Sequence, residues 1–318
     1  MSFLIALAGL VLLVAGGDLL VRGSVAIARR LAVSPLLIGL TLVGFGTSTP
    51  ELFTSITAAL EGAPGIAVGN VVGSNTANIL LILGLAAAIR PMAVHPAALR
   101  RDGSVTLLAA LACTGLVLIG QLELIGGILL LLGLLLYLGI TYRVERRSRD
   151  EAATLHAAEA ETAGALPQGW LPALAFVLGG FALIFLGADW LVDGAIVLAQ
   201  AAGVSDTLVG LTLVAIGTSL PELVASVMAS IRRQGDIAIG NVLGSNIYNV
   251  LGVLGATALV QPIPVPGEIA RLDIWVMLAA TLLLMLFAFT GGRLTRWEGG
   301  TLLALYLAYL AALALLAF

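Results

Sequence analysis

Apolar positions run through this chain in long unbroken stretches, interrupted by short polar or Gly/Pro-containing segments. Each stretch approaches the roughly 20 residues that carry an α-helix across a bilayer. A backbone in lipid must satisfy its own hydrogen bonds, which helices do within one segment. A membrane β-barrel would show short alternating segments instead. The pattern predicts spans near 3–28, 36–60, 66–89, 104–120 and 124–142, a polar stretch over 143–168, and further spans near 170–199, 207–231, 237–260, 272–290 and 298–317. The fold class is an all-α membrane protein with ten transmembrane helices.

Composition sharpens this reading. Of 318 residues 60% are hydrophobic and 10% charged, against about a quarter charged in soluble domains. The formal net charge of −3 matters less than where the charges fall. All basic residues are arginine, and they lie mainly in loops, where they read as topology determinants and not as a nucleic-acid surface. The single cysteine, Cys113, permits no intrachain disulfide. No basic segment precedes the first apolar run, so that run reads as a retained helix and not a cleaved signal.

The chain also repeats itself. Residues 16–94 align without a gap to 187–265 at a constant offset of 171, with nearly half the positions identical. SPLLIGLTLVGFGTSTPELFTS matches SDTLVGLTLVAIGTSLPELVAS, and IAVGNVVGSNTANILLILG matches IAIGNVLGSNIYNVLGVLG. Five spans per half is an odd number, so the second copy should enter the membrane from the opposite side. The loop charges agree. Arg29 and Arg30 become Gln200 and Ala201 in the second copy, Glu61 and Gly62 become Arg232 and Arg233, and Arg90 becomes Gln261. Arg100 and Arg271 are the one matched pair against this trend.

Arg29, Arg30, Arg90, Arg100, Arg101, Arg143, Arg146, Arg147, Arg149, Arg232, Arg233, Arg293 and Arg296 then share one side, the cytoplasmic one. Both termini face outward from a cell (inner or plasma) membrane. The expected organisation is a first five-helix inverted-topology repeat over 1–142, a cytoplasmic linker over 143–168, and a second repeat over 169–318. Such repeats are typical of secondary transporters with a mid-membrane site.

Two carboxylates lie inside apolar spans, where an ionisable group is costly and marks function. Glu51 in GTSTPEL and Glu222 in GTSLPEL are equivalent under the repeat. Pro50 and Pro221 each remove a backbone donor and free a carbonyl one turn back, near Gly46 and Gly217. Thr47, Ser48, Thr218 and Ser219 place hydroxyls one turn before the glutamates. In GSNTAN and GSNIYN, Ser74 shares a helix face with Asn78, and Ser245 with Asn249. These hard oxygen donors suit Ca2+ or Na+. His95 and His156 both fall in loops. Asn70, Asn75, Asn241 and Asn246 read as interhelical hydrogen-bond formers. Asp18 and Asp189 read as partners of Arg22 or as edge residues.

With both motif pairs in view, the chain resembles the cation/calcium antiporter superfamily, most closely the prokaryotic sodium/calcium exchangers. The residues that carry the resemblance are GTSTPE (46–51) with GNVVGSNTAN (69–78), and GTSLPE (217–222) with GNVLGSNIYN (240–249). They correspond to that family's two α-repeats, here 39–84 and 210–255. The resemblance implies Glu51 and Glu222 as central shared ligands. It implies Thr47, Ser48, Thr218, Ser219, Ser74 and Ser245, with the backbone carbonyls of Gly44 and Ala215, as Na+ ligands. Asn78 and Asn249 would line the middle of the site. Several family members carry Asp where this chain has Asn249, leaving two ionisable groups here. The large calcium-sensing insert of animal exchangers is absent, so no such regulation is expected.

The expected activity is sodium/calcium antiport by alternating access, with Ca2+ and Na+ as transported ions, the lipid bilayer as surroundings, and no cofactor, nucleic acid or obligate protein partner. Spans 1 and 6 are expected to slide against the core. A proton- or potassium-coupled exchanger would use the same glutamates. An intramembrane aspartyl protease built on Asp18 and Asp189 would need no serine/threonine cage, and a structural or receptor protein gives no reason for duplicated ligands.

Overall fold

The structure, a computed structural model, describes residues 2–63, 65–94, 96, 99–147, 166–201 and 215–317. His95, His156, most of the 143–168 linker and the first third of the seventh span (207–214) lie outside the described residues. The first half comprises α1 (Ser2–Leu31), α2 (Pro35–Leu60), α3 (Gly65–Ile89), α4 (Leu99–Ile119) and α5 (Leu124–Arg147). The second comprises α6 (Trp170–Ala201), α7 (described as Ala215–Thr218 and Leu220–Ile231), α8 (Gly235–Val260), α9 (Asp273–Gly291) and α10 (Arg296–Ala317). Among the described residues nine helices are long and apolar enough to cross a membrane, and Leu220–Ile231 is the described part of the tenth. The chain is an all-α, multi-pass membrane protein of two inverted five-helix repeats.

The packing follows from where bulk is missing. Along α1 and α6 small residues recur at Gly9, Gly16, Gly180 and Gly187. A methyl group on Gly16 would stand 2.8 Å from the Gly180 carbonyl oxygen, and one on Gly187 2.8 Å from that of Gly9. The two backbones therefore touch along a small-residue seam, which in lipid gains van der Waals contact without a hydrophobic drive. A second seam joins α2 to α8, where a methyl on Gly240 would meet Leu36 O at 2.5 Å. At Gly244 the α2 backbone at Leu40 comes closer still. This makes α8 the most buried span, while α10 leaves most of its side chains exposed. The outward faces of α4, α5 and α9 carry exposed Leu118, Leu132, Leu135, Leu282 and Leu286, the surface that lipid covers.

Four two-residue strands add a feature that the apolar pattern assigns to loops. β1 (Met92–Ala93) pairs with β4 (Arg293–Leu294), and β2 (Gln121–Leu122) pairs with β3 (Ile263–Pro264), both antiparallel. Each pair joins one half to the other. Met92 and Ile263 are equivalent at the 171-residue offset, so the two pairs are related by the pseudo-two-fold and sit on opposite membrane faces. Segments this short carry no local signature, because their partners lie more than 100 residues away.

Helical geometry fails at matching places in the two halves. α2 breaks at Ser48 (φ −82°, ψ 9°) and α7 at Ser219 (φ −92°, ψ 4°), each two residues before a proline. Wider π turns occupy Asn78–Leu83 in α3 and Asn249–Leu254 in α8, with another at Gly39–Val43 in α2. Such turns cluster at functional positions.

Candidate functional site

The breaks in α2 and α7 start two half-helices, Thr49–Leu60 and Leu220–Ile231, and each has its glutamate in the first turn. A helix start carries exposed N–H groups and positive dipole character, a favourable place for a carboxylate. Glu51 is 1% exposed and Glu222 is fully buried. Asn70 donates to the Glu51 backbone carbonyl (3.2 Å) and to Ser55 Oγ (3.1 Å). Asn241 does the same to Glu222 O (3.2 Å) and Ser226 Oγ (2.9 Å). These two amides hold the α3/α2 and α8/α7 backbones in register, the role that the sequence suggests for them.

The halves then cross. Ser48 Oγ donates to Glu222 Oε1 at 2.8 Å, and Ser219 Oγ donates to Glu51 Oε1 at 3.4 Å. Each serine lies three residues before one glutamate and bonds the other, so the carboxylates meet across the two helix breaks. Ser219 also reaches Ser74 Oγ at 3.5 Å. Thr47 Oγ1 and Ser245 Oγ both donate to the Gly44 carbonyl oxygen, at 3.3 and 3.1 Å, and Thr47 lies 3.1 Å from Asn241 Oδ1. Thr218 ends the short helix Ala215–Thr218, next to Ser219. The structure thus gathers Glu51, Glu222, Thr47, Ser48, Ser219, Ser74, Ser245 and Gly44 around one locus.

Asn78 and Asn249 are buried where the π turns begin. The buried side-chain atoms without a hydrogen-bond partner include Glu51 Oε2, Glu222 Oε2, Asn78 Oδ1 and Asn249 Oδ1. All four are acceptors, and they form two symmetry-related pairs. A buried polar atom left unpaired costs about 1–3 kcal/mol, more if charged. Four oxygens lacking donors are what a cation would satisfy.

One neighbour of the site carries no polar signal in the sequence. The Phe181 ring of α6 presses on Gly46 so closely that a methyl there would force the ring to move. A cavity of about 240 Å³ between α3, α7 and α10 has Ser74 and Ser219 in its wall, beside Tyr306 and Tyr309.

The two-fold breaks down at the ends of the site. On one face α1 closes on α7. A methyl on Gly17 would lie 2.7 Å from Met228 and 2.8 Å from Val224, and Asp18 forms ion pairs with Arg232 and with Arg22, the latter at 3.5 Å. On the other face Ala188, the mate of Gly17, is buried, but other equivalents among the described residues are exposed. Phe53, the mate of Val224, is 67% exposed, and Asp189 and Glu61 are also exposed.

A family model described as sodium/calcium exchanger protein matches residues 1–143 and 172–315. The chain is 40% identical to the sodium/calcium exchanger MaX1 of Methanosarcina acetivorans, over 98% of both chains. It is 39% identical to the putative antiporter CaxA of Alkalimonas amylolytica, over 95% of both. A solved structure of the sodium-calcium exchanger NCX_Mj, soaked with zero Na+ and Ca2+, superposes with a TM-score of 0.83 at 36% identity, covering 98% of each chain.

Proposed function

The chain belongs to the sodium/calcium exchanger family and is an antiporter of Na+ and Ca2+, and we propose that the exchange runs through one shared site with Glu51 and Glu222 at its centre. The observation that carries this assignment is the set of four buried, partnerless oxygens on Glu51, Glu222, Asn78 and Asn249. Ca2+ takes six to eight oxygen ligands and tolerates irregular geometry. The serine and threonine hydroxyls and the carbonyls of Gly44 and Ala215 complete the surrounding Na+ positions. Because the glutamates are shared, one ion weakens the other, which is the competition an exchanger needs.

The emptied site disfavours futile movement. Two carboxylates without a counter-ion in a low-dielectric interior cost several kcal/mol, so the carrier changes face only when loaded. α1 and α6, bound backbone to backbone, move as one body across the breaks in α2 and α7. With arginine loops cytoplasmic and both termini outside, the closed face at Asp18 and Arg232 is cytoplasmic, and this form is open outward. The exchange halves are then 1–142 and 169–318, joined by a cytoplasmic linker in a cell membrane. The relatives' names favour sodium over proton coupling.

Proteoliposomes loaded with Na+ and diluted into Na+-free medium should take up radiolabelled Ca2+. An imposed pH gradient alone should not drive uptake. Glu51→Gln and Glu222→Gln should each abolish it, and retained exchange in either variant removes the assignment.

A further inference from the structure

Asn78 and Asn249 raise a question that carboxylate ligands do not. A primary amide has nearly the same shape whichever way it is turned, but one orientation offers an oxygen acceptor and the other an NH2 donor. Presented to a cation, the first binds and the second repels. The structure shows what decides between them. Asn78 Nδ2 donates to Asn246 Oδ1 at 3.0 Å, and Asn249 Nδ2 donates to Asn75 Oδ1 at 3.1 Å.

Those two acceptors are amides themselves and would be equally ambiguous if they stood alone. They do not. Asn75 Nδ2 donates to the backbone carbonyl of Asn246 at 3.2 Å, and Asn246 Nδ2 to that of Asn75 at 3.5 Å. A backbone carbonyl can only accept, so each NH2 is forced toward it and each Oδ1 away from it. That oxygen in turn accepts only from the NH2 of Asn78 or Asn249. The polarity passes along two crossed relays, each anchored on an atom whose role cannot reverse, and each ends on a partnerless oxygen.

We propose that Asn75 and Asn246 are positioning residues of the exchanger, which touch no ion but fix the amides of Asn249 and Asn78 with oxygen presented to the cation. All four side chains are at most 3% exposed, so water does not substitute for the relay. The arrangement also makes each half set the orientation of the other, since Asn75 serves Asn249 and Asn246 serves Asn78. The proposal rests on the reading of Asn78 and Asn249 as ligands.

The test uses Na+-driven Ca2+ uptake in proteoliposomes, read as half-saturation and maximal rate separately. Asn246→Ala releases the Asn78 amide and should raise the Ca2+ half-saturation about tenfold, the effect of a lost buried hydrogen bond plus an occasional reversed dipole, with maximal rate changed less than about threefold. In an Asn78→Asp background the same substitution should cost less than about threefold, because a carboxylate offers oxygen either way round. Asn75→Ala with Asn249→Asp repeats the test in the other half, so a variant that fails to fold leaves its counterpart to decide.

An equal cost in both backgrounds means that Asn246 acts by packing alone and overturns the proposal. So does an unchanged half-saturation in Asn246→Ala. If Asn78→Ala itself leaves Ca2+ half-saturation unchanged, the ligand reading fails and the relay with it, an outcome distinct from the other two.

Discussion

Asp18, midway along the first helix, is ion-paired with Arg232 at the end of the seventh, and the residues that the two-fold puts in their places on the opposite face, Asp189 and Glu61, are both acidic. One face of the carrier closes on an attraction. Closing the other in the same way would bring two like charges together. A partly exposed ion pair contributes about 0.2–1 kcal/mol, enough to bias an equilibrium between two forms without locking it.

Arg232→Gln should therefore shift the carrier about two- to fivefold toward the form open at this face. A cysteine placed at Val224 would report it by faster reaction with an impermeant thiol reagent added on the side of Arg232. The native Cys113 is buried and gives little background. Exchanging the charges, Asp18→Arg with Arg232→Asp, should restore slow labelling. Unchanged labelling in Arg232→Gln would show that the ion pair does not bias the two forms.

The buried glutamates predict a trade between stability and transport. Glu51→Gln should raise the melting temperature measured without Na+ and Ca2+, because it removes one of two unneutralised buried charges. The same variant should lose the rise in melting temperature that added Ca2+ gives the parent protein. A lower ion-free melting temperature would mean that the carboxylate is held by protein contacts and not by ions.

The α1/α6 seam predicts a sharp positional contrast. Gly16→Ala forces a methyl against the Gly180 backbone and should destabilise by about 1–3 kcal/mol. Gly139→Ala, on α5 with nothing within 4 Å of the new methyl, should be neutral or stabilising by up to about 1 kcal/mol. Thermal unfolding in detergent measures both.

The halves are held by contacts between them and not by the linker alone, since both strand pairs and both helix seams join residues of opposite repeats. Residues 1–147 and 166–318 expressed as two chains should co-purify and exchange Ca2+ for Na+ after reconstitution. Failure to co-purify would show that covalent connection is needed for assembly.

Much of this is legible in the sequence. Long apolar runs give the spans because lipid leaves the backbone few alternatives; the 171-residue offset exposes the repeat, and the odd span count with the flipped loop charges exposes its inversion before any coordinates. Glu51 and Glu222 stand out because a charge at that depth has a cost that needs a reason. The sequence suggests Arg22 as a partner for Asp18, four residues along the same helix. The second partner, Arg232, lies over 200 residues away and leaves no local trace. Phe181 against Gly46 is hidden for a similar reason, as an apolar residue in an apolar helix. The π turns at Asn78 and Asn249 escape detection because one extra residue per turn leaves composition unchanged while rotating all that follows. A regular helical wheel drawn through Ser74 and Asn78 misplaces the residues beyond.

The proposed site, with Glu51 and Glu222 both ionised when a cation is bound, has an electrical consequence. With one Ca2+ aboard that site passes from one face's access to the other's with no net charge, and the membrane potential does no work on that step. With n Na+ aboard it carries n − 2. Voltage, which acts with about 2.3 kcal/mol per charge per 100 mV, then touches only the sodium-loaded crossing. Current recorded during exchange, divided by the Ca2+ moved, counts the sodium ions directly.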